Sequence, residues 1–345
     1  AREEYRKFKK LRDLNIDPKT SQQQGKELLK KSIEKHDDEA HTFERMVERY
    51  IVEKLEKARQ PKGTREIQRI MKKDLGDLAV VVVGDGLKTT IHNHIFEISK
   101  RSKDVARVFR RELKCAWQYA FNTGYTNIPC PINSDIGGKL KQGQRRRVLT
   151  DDELSELLPW MHNYSETVRD VLTLTLYTGL RSGEVCRLRD DWLVEGVEAW
   201  SIVIPSHEMK IPHADHVVPL VGRALEIARK RRGSGYWFKS RTGGHIKQKV
   251  LGVEVYSHSG RSKAKTYKAQ TICPVIDWSP NDLRKTARTH LAKLKCPYEI
   301  GEKILHHKLL GVAGLYNQYN YEEERREWLT TLGDHFDRLG GQTHE

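Results

Sequence analysis

The sequence predicts a mainly α protein with a small antiparallel β-sheet in its second half. Apolar residues recur at three- and four-residue spacing through residues 42–121 and again after residue 282, which is typical of amphipathic helices. A helical pattern also fills residues 150–195. A β-like pattern starts at residue 200 and includes two short runs, 201–204 and 217–220, which have the composition of strands. A chain of 345 residues is long enough for two or three domains.

The chain is strongly basic. It has 62 Lys and Arg against 47 Asp and Glu, a net charge of +15 that is spread along its length. Clustered cations bind phosphate backbones by releasing condensed counterions, so a polyanion is the expected partner. The longest aliphatic run, residues 78–83, is far short of the ~20 residues that span a bilayer. Five separated cysteines without a C-x-x-C pair argue against a disulfide framework and favour the reducing cytoplasm.

Changes in composition divide the chain into four segments. Residues 1–37 are charged helix, broken at Pro18, and are interpreted as a solvated linker helix or an accessory DNA contact. Because this pattern is already under way at Ala1, we expect the natural chain to begin earlier. Residues 38–138 form a helical domain, and the glycine-rich, basic residues 139–148 form an interdomain linker.

A capping box predicts where the second large domain starts. Thr150 and Glu153 have the spacing at which each side chain bonds the other residue's amide. The second domain is therefore assigned to residues 149–345.

Basic residues flank the helical stripe of residues 105–121 and continue into the linker. A helix that faces DNA has this pattern, and so does a solvated basic face. The candidate DNA-contacting residues are Arg101, Lys103, Arg107, Arg110, Arg111, Lys114, Lys141, Arg145, Arg146 and Arg147.

The first motif that carries chemistry is Thr-Gly-Leu-Arg-Ser-Gly-Glu-Val at residues 178–185. Gly179 suits the end of one helix, Ser182 the N-cap of the next, and Glu184 its first turn. Arg181 then lies in a turn between rigid elements, where its guanidinium can hold a phosphate through two hydrogen bonds. From this motif alone, an ordinary surface arginine remains the alternative.

Two further motifs follow in the last quarter of the chain. Ser-Pro-Asn-Asp-Leu-Arg-Lys-Thr at residues 279–286 predicts the start of a helix with Arg284 in its first turn, near amides that favour anions. Leu-His-His-Lys at residues 305–308 is followed by Tyr316, nine residues after His307.

The histidines do not predict a metal site. Adjacent residues point to different sides of a helix, so His306 and His307 would make a poor chelating pair. His213 and His216 are interpreted as surface residues of a hairpin.

Read together, the motifs resemble the catalytic domain of the tyrosine recombinases, the lambda-integrase family. Their order is Thr-Gly-Leu-Arg-Ser-Gly-Glu, a lysine in a β-hairpin, Asp-Leu-Arg-Lys-Thr, Leu-x-His-Lys and a tyrosine nine residues after that histidine. Leu-His-His-Lys, with Gly-Leu-Tyr at 314–316 and Tyr-Glu-Glu-Glu-Arg-Arg at 321–326, is similar to integrases of genomic islands and satellite phages. The resemblance covers about residues 1–340.

The resemblance implies a role for each domain. Residues 1–37 would include the remnant of an arm-binding domain, and residues 38–138 would be a helical core-binding, DNA-binding domain. Residues 149–345 would be an α+β tyrosine-recombinase catalytic domain, so that two domains close in a C around the duplex.

The resemblance also implies roles for individual residues. Arg181 and Arg284 would grip the non-bridging oxygens of the scissile phosphate, and Tyr316 would be the nucleophile that forms a 3′-phosphotyrosyl bond. Lys210 would be the general acid toward the departing 5′ oxygen, and His307 would hydrogen-bond the phosphate. These cations stabilise the phenolate and a phosphorane-like transition state, so neither a metal, ATP nor another cofactor is expected.

Asn281 departs from the family pattern, in which a histidine commonly accepts the proton of the tyrosine. An asparagine can hydrogen-bond a phosphate oxygen but cannot exchange a proton near pH 7. We therefore expect slower or differently coupled chemistry. Glu184 matches an acidic residue that supports the site structurally.

The function implied is that of a site-specific DNA recombinase that integrates or excises a bacterial mobile element in the cytoplasm, associated with the nucleoid. Its expected partners are a double-stranded DNA core site, three further copies in a tetramer that passes through a Holliday junction, and DNA-bending or directionality factors. The apolar stripe of residues 322–339 either packs on its own domain or docks into a neighbouring protomer.

Two other functions remain open. One is a type IB topoisomerase-like or telomere-resolving enzyme with the same tyrosine chemistry. The other is a catalytically weakened, sequence-specific DNA-binding protein, for which Asn281 is the suggestive feature.

Overall fold

The computed structural model describes residues 41–58, 61–140, 146–197, 199–209, 214–262, 271–307 and 319–341. The chain forms two compact units, Ala1–Gln144 and Arg145–Glu345. Each unit has a hydrophobic core of its own.

The described part of the first unit is helical. Its helices are α1 (Phe43–Tyr50), which continues as a π-helical turn (Ile51–Leu55) and a last turn (Glu56–Ala58), then α2 (Pro61–Asp74), α3 (Lys88–Arg101) and α4 (Lys103–Asn122). Helix α4 lies at the centre, because α1, α2 and α3 all pack on it. Its apolar stripe is fully buried at Phe109, Leu113 and Trp117, as the helical spacing predicts.

The second unit combines helices with one small sheet. Its helices are α5 (Asp151–Trp160), α6 (Glu166–Thr178), α7 (Ser182–Val185), α8 (Gly222–Arg231), α9 (Gln248–Ser257), α10 (Pro280–Lys293), α11 (Tyr298–Ile304) and α12 (Glu322–Leu339). Its strands are β1 (Leu193–Glu195), β2 (Trp200–Ile204) and β3 (His216–Leu220).

The three strands form an antiparallel sheet in the order β1-β2-β3. Ile202 of β2 lies opposite Val218 of β3, and both side chains are buried. The two predicted strands are confirmed. Strand β1 lies in a stretch predicted to be helical, and this part of the prediction is wrong.

The predicted capping box starts α5. The Thr150 hydroxyl accepts a hydrogen bond from the amide of Glu153 at 3.2 Å, and the Glu153 carboxylate accepts one from the amide of Thr150 at 3.0 Å. Leu149, just before it, is fully buried in the core of the second unit, whereas Leu140 is buried in the core of the first. The chain therefore passes from one core to the other between these two leucines.

Helix α12 packs on the unit to which it belongs. Leu329, Leu332 and Phe336 are buried in the core of the second unit, against α5, α6 and α11 among others. In the single chain, this apolar stripe therefore packs on its own domain, which is the first of the two alternatives predicted for it.

The prediction that His216 is a surface residue is wrong. Its side chain is 1% exposed on β3, where the Nε2 atom lies 3.2 Å from the carbonyl oxygen of Ile304. Its ring stacks on that of His306, with 4.5 Å between the ring centroids. His213 lies outside the described residues.

The five cysteines are buried or partly buried. All five cysteines carry free thiols, and burial raises the pKa of Cys186 to about 12 and that of Cys296 to about 11. None of the described helices is both long and apolar enough to cross a membrane.

Candidate active site

The turn between α6 and α7 holds Arg181. Gly179 ends α6 with a φ of 68°, a conformation that costs a glycine little. Arg181, rather than the predicted Ser182, is the N-cap of α7. The carboxylate of Glu184, which is 3% exposed, accepts hydrogen bonds from the Arg181 amide at 3.0 Å and from its Nη1 at 2.8 Å. Glu184 thus fixes both the backbone and the side chain of Arg181.

Arg284 on α10 is held by the backbone of two other segments. Its Nη1 donates to the carbonyl oxygen of Gly179 at 2.6 Å, and its Nη2 donates to that of Leu305 at 2.7 Å. Arg284 is the fifth residue of α10, so the expectation that it lies in the first turn is wrong.

Two guanidinium groups converge at this point. Burial and, after it, the positive charge of Arg181 lower the pKa of Arg284 to about 10. Arg284 is still protonated at neutral pH. Because two like charges are held close together, an anion between them would gain from both, which is the arrangement expected of a phosphate site.

His307 joins the arginines from the end of α11. Its Nε2 lies 3.0 Å from Nη2 of Arg284. A guanidinium can only donate, so this nitrogen accepts and the ring hydrogen is on Nδ1. That hydrogen is donated to Oε2 of Glu302 at 2.7 Å.

Glu302 in turn connects to a third arginine. Burial raises the pKa of its carboxyl group, but hydrogen bonds from Arg288 and His307 outweigh burial and leave the pKa lower than usual. Nε of Arg288 donates to Oε1 of Glu302 at 2.8 Å. His307 is therefore oriented by a partly buried carboxylate that is itself fixed.

His306 does not belong to this arrangement. It follows the end of α11 with a φ of 52°, so the assumption that the two adjacent histidines lie on a helix is wrong. Its Nε2 donates to the carbonyl oxygen of Ala214 at 3.1 Å, whereas His307 contacts Arg284 and Glu302. The two imidazoles thus bind different partners.

Asn281 is exposed near the N-terminus of α10 and is oriented by two polar side chains. Its Oδ1 accepts hydrogen bonds from Oγ of Ser182 at 2.9 Å and from Nε2 of Gln248 at 3.0 Å. Nε2 of Gln248 also lies 2.9 Å from Oγ of Ser182. These contacts use the amide oxygen, so the NH₂ group is the part of Asn281 that can donate to a ligand.

Two of the predicted catalytic residues, Lys210 and Tyr316, lie outside the described residues. In sequence, Lys210 falls in the connection between β2 and β3, as predicted for a hairpin lysine. Tyr316 falls between His307 and α12. Their roles remain predictions.

Sequence reasoning missed Glu302, Arg288 and Gln248. Gln248 reaches Asn281 from 33 residues away in sequence, and no local pattern announces such a contact. Glu302 is five residues before His307, and an acidic residue near a predicted catalytic histidine is the only signal that could have pointed to it.

The candidate DNA contacts of the first unit differ in their surroundings. Arg110 donates to the carbonyl oxygens of Ser134 at 2.6 Å and Ile136 at 3.0 Å, which ties a loop to α4. The other arginines of this set that lie in the first unit have carboxylate partners, namely Arg101 with Asp74, Arg107 with Asp104 and Arg111 with Glu112. Lys103 and Lys114 are exposed on α4.

The basic residues of the linker also differ in whether they have partners within the protein. Arg147 donates to Oε2 of Glu153 at 2.9 Å and to the carbonyl oxygen of Asp277 at 3.3 Å. Arg146 is exposed, and Lys141 and Arg145 lie outside the described residues.

The family model described as the phage integrase family matches residues 147–323. A sequence comparison with curated proteins gives no match.

Three solved structures share the fold over most of the chain. The Tn1549 transposon integrase (residues 82–397), in complex with circular intermediate DNA, is 14% identical, with 84% of this chain and 99% of that chain covered and a TM-score of 0.58. A lambda integrase (75–356) dimer bound to a COC′ core site is 15% identical, with 76% and 94% covered and a TM-score of 0.58. A lambda integrase tetramer bound to a Holliday junction is 14% identical, with 83% and 79% covered and a TM-score of 0.62. With the family match over more than half of its length, the chain belongs to the phage integrase family and is a site-specific tyrosine recombinase.

Proposed function

We propose that this recombinase cleaves and rejoins DNA at the site formed by Arg181, Arg284 and His307. The observation that carries the proposal is the convergence of two guanidinium groups, of which one is held by the Gly179 and Leu305 carbonyls and the other by Glu184. A site fixed in this way binds the non-bridging oxygens of a phosphodiester without having to reorganise.

The proposed reaction is a reversible transesterification. The phenolic oxygen of Tyr316 attacks the phosphorus, a 3′-phosphotyrosyl bond forms, and the bond from phosphorus to the 5′ oxygen breaks. Lys210 gives a proton to the departing 5′ oxygen, which leaves as a hydroxyl group. Attack by a 5′-hydroxyl of a partner strand reverses the step, so the number of phosphoester bonds is conserved and no ATP is needed.

Because Asn281 replaces the usual histidine, the proton of Tyr316 needs a different acceptor in this reaction. Its amide oxygen is already bonded by Ser182 and Gln248, so the NH₂ group faces the ligand and donates to a phosphate oxygen. The proton of Tyr316 therefore passes to water or to a group other than Asn281.

We further propose the cellular setting implied by the resemblance. The first unit would bind the DNA core site through the exposed Lys103 and Lys114, and Arg146 of the linker would add a further contact. Four protomers would assemble on the DNA to integrate or excise a mobile element in the bacterial cytoplasm. The lambda integrase structures with a core site and a Holliday junction support this assembly by analogy of fold. DNA-bending and directionality factors would act with it. The apolar side of α12 is buried in its own unit. Docking of a C-terminal element into a neighbouring protomer would therefore require α12 to detach, or would use another part of the C-terminal region.

Covalent capture tests the proposed site. The protein is incubated with nicked duplexes taken from the junctions that flank its gene, and a denaturation-resistant adduct is measured. We expect an adduct with the unaltered protein, none with Tyr316→Phe, and a strongly reduced amount with Arg284→Ala.

Arg232→Ala is the matched control, because Arg232 is an exposed arginine of the same unit that pairs with Glu195 at 2.9 Å. It should form the adduct normally. An adduct that persists in Tyr316→Phe would contradict the assignment of the nucleophile, and tight, specific binding without any adduct would favour a catalytically weakened DNA-binding protein. Relaxation of supercoiled DNA without a paired site would instead indicate topoisomerase-like activity.

A further inference from the structure

Three metal-ligating side chains meet at a second place in the catalytic unit. Asp151 opens α5, His290 lies near the end of α10, and His335 lies near the end of α12. Nδ1 of His290 is 3.2 Å from Nε2 of His335 and 3.5 Å from Oδ1 of Asp151. Nε2 of His335 and Oδ1 of Asp151 are 3.6 Å apart.

These separations are those of ligands around one small ion. A circle through the three atoms has a radius of about 2.0 Å, and zinc binds imidazole nitrogens and carboxylate oxygens at about 2.0–2.2 Å. A point close to the plane of the three atoms can therefore be at bonding distance from all of them. The three distances also approach the edge of a tetrahedron around zinc, about 3.4 Å for such bond lengths.

The second observation is an acceptor that lacks a donor. Nε2 of His290 lies 3.1 Å from the carbonyl oxygen of Leu149 and must carry a hydrogen, which leaves a lone pair on Nδ1 of the neutral ring. Oδ1 of Asp151 is buried and has no hydrogen-bond partner among the described residues. His335 can offer one hydrogen at most from its Nε2. The lone pairs on Nδ1 of His290 and Oδ1 of Asp151 thus face a single donor, Nε2 of His335. A cation between the three side chains would satisfy both lone pairs.

The ionisation states suit a metal as well. Burial lowers the pKa of His335, which favours the neutral ring, and a hydrogen bond from Lys293 lowers the pKa of Asp151, which favours the carboxylate. The side chain of Asp151 is 32% exposed, whereas His290 is 4% exposed. An ion could therefore enter from the Asp151 side, where water can supply the fourth ligand.

We propose that Asp151, His290 and His335 form a Zn²⁺ site that fastens α12 to α10 and α5. Two imidazoles disfavour Mg²⁺ and Ca²⁺, which prefer oxygen ligands. The proposed role is structural, because the ion would link the helix that carries Arg284 to the helix that follows Tyr316 in sequence. The expectation from sequence that the chain has no metal site is replaced by this proposal, which does not depend on the roles assigned to Arg181 or Tyr316.

A metal-free arrangement is the competing interpretation. A water molecule or a protonated imidazole could fill the same place, with the ion pair between Lys293 and Asp151 holding the cluster together. Binding of Zn²⁺ itself separates the two interpretations.

The test uses the full chain without an affinity tag. After chelation, the protein is loaded with Zn²⁺, dialysed and analysed for metal content, and its melting temperature is measured with Zn²⁺, with Mg²⁺ and with neither. We expect the unaltered protein to bind one Zn²⁺ per chain more than His335→Gln or Asp151→Asn. Its Tm should rise by about 5–10 °C at a Zn²⁺ concentration 100 times Kd. Mg²⁺ should have no such effect. Co²⁺ should give visible absorption bands in the unaltered protein that the two variants lack.

Two further variants sharpen the test. His162→Gln changes an exposed histidine of the same unit and should bind Zn²⁺ normally. Lys293→Met removes the cation that competes for Asp151 and should bind Zn²⁺ about fivefold more tightly. Equal Zn²⁺ content in the unaltered protein, His335→Gln and Asp151→Asn would show that other residues hold the metal, and an unchanged Tm with saturating Zn²⁺ would show that the cluster is metal-free. Either result would overturn the proposal.

Discussion

Arg284 uses three of its five N–H groups on its own unit. Two bonds go to backbone carbonyls and one to His307. The remaining two N–H groups have no partner among the described residues, so the residue can hold a phosphate while its position is fixed by the fold. A lysine offers three donors from a single point and cannot reproduce this fork.

Arg284→Lys should therefore lower the rate of adduct formation by about 10²–10³-fold, the usual effect of removing one fixed donor from a transition state. Single-turnover cleavage of nicked duplexes measures the rate, and a melting curve checks that the variant is folded. Arg232→Lys should leave the rate unchanged. A folded Arg284→Lys protein that cleaves at the normal rate would show that Arg284 has a structural role only.

Asn281→His should raise the rate of cleavage by about tenfold, which is below the full effect of a well-placed general base. A neutral imidazole has only one acceptor nitrogen, so it cannot keep both the Ser182 and Gln248 bonds that Asn281 accepts. The rate is measured between pH 6 and 9, where a new dependence on pH is expected. An unchanged rate would mean that proton transfer from Tyr316 does not limit the reaction.

At this scale, the sequence predicts a local turn better than it predicts contacts between separate elements. The turn that holds Arg181 follows from local rules, since Gly179 ends one helix and Glu184 bonds back to the start of the next. The pairing of His307 with Glu302, and of Asn281 with Gln248, depends on how separate elements pack. Neither pair has a local signal.

At the scale of the element, His216 makes β3 sensitive to acid. Burial holds the pKa of His216 well below its usual value, so the ring stays neutral in the folded protein. Below about pH 6.5 the unfolded chain binds this proton and the folded chain does not, so protons favour unfolding. This residue should cost up to about 1.4 kcal/mol of stability for each pH unit below 6.5, until the folded pKa is reached.

His216→Gln should flatten that dependence. Its amide can still donate toward the carbonyl of Ile304, but it has no proton to gain. Denaturant unfolding at pH 7.5, 6.5 and 5.5 measures the free energy of unfolding of both proteins. As the pH falls, the variant should lose less stability than the unaltered protein. Parallel curves would contradict the assignment.

The capping box of α5 should have a measurable but modest value. Thr150→Ala removes the acceptor for the Glu153 amide, and the loss of an N-cap costs about 1 kcal/mol. For a unit of this size, that corresponds to a fall in Tm of about 2–4 °C. Ser155→Ala, which removes an exposed hydroxyl inside the same helix, should change Tm less. Equal shifts in the two variants would indicate that the cap contributes little.

Helical periodicity succeeded where one face is apolar and failed where the pattern is weak. Helix α12 has the bounds that residues 322–339 predict, and α4 agrees to within a few residues. Helices α8 and α9 were not predicted. Helix α9 contains a glycine and leaves Val250 and Val253 exposed, so its apolar residues do not mark a single face. Strand β1 has three residues, too few to show a period.

On the scale of the whole molecule, the second unit depends on α12, its last described helix. Truncation after Asn320 removes Leu329, Leu332 and Phe336 from the core, and each large side chain lost from a core costs about 2–5 kcal/mol. The second unit should then unfold or lose its cooperative transition. Circular dichroism during heating measures this, with a chain that ends at Gly341 as the control. A truncated protein with an unchanged transition would show that α12 is dispensable in its own unit, as expected of an element that docks into a neighbour.

The donor-lined site also affects how the enzyme behaves in ordinary buffers. Arg181, Arg284 and the NH₂ group of Asn281 all present hydrogens, while the neighbouring carboxylates of Glu184 and Glu302 are engaged by arginine and histidine. Donors of this kind recognise the tetrahedral oxyanion and not the nucleotides attached to it. We therefore expect inorganic phosphate and sulfate to compete with the scissile phosphate for this site, and the enzyme to be faster in chloride salts of equal ionic strength.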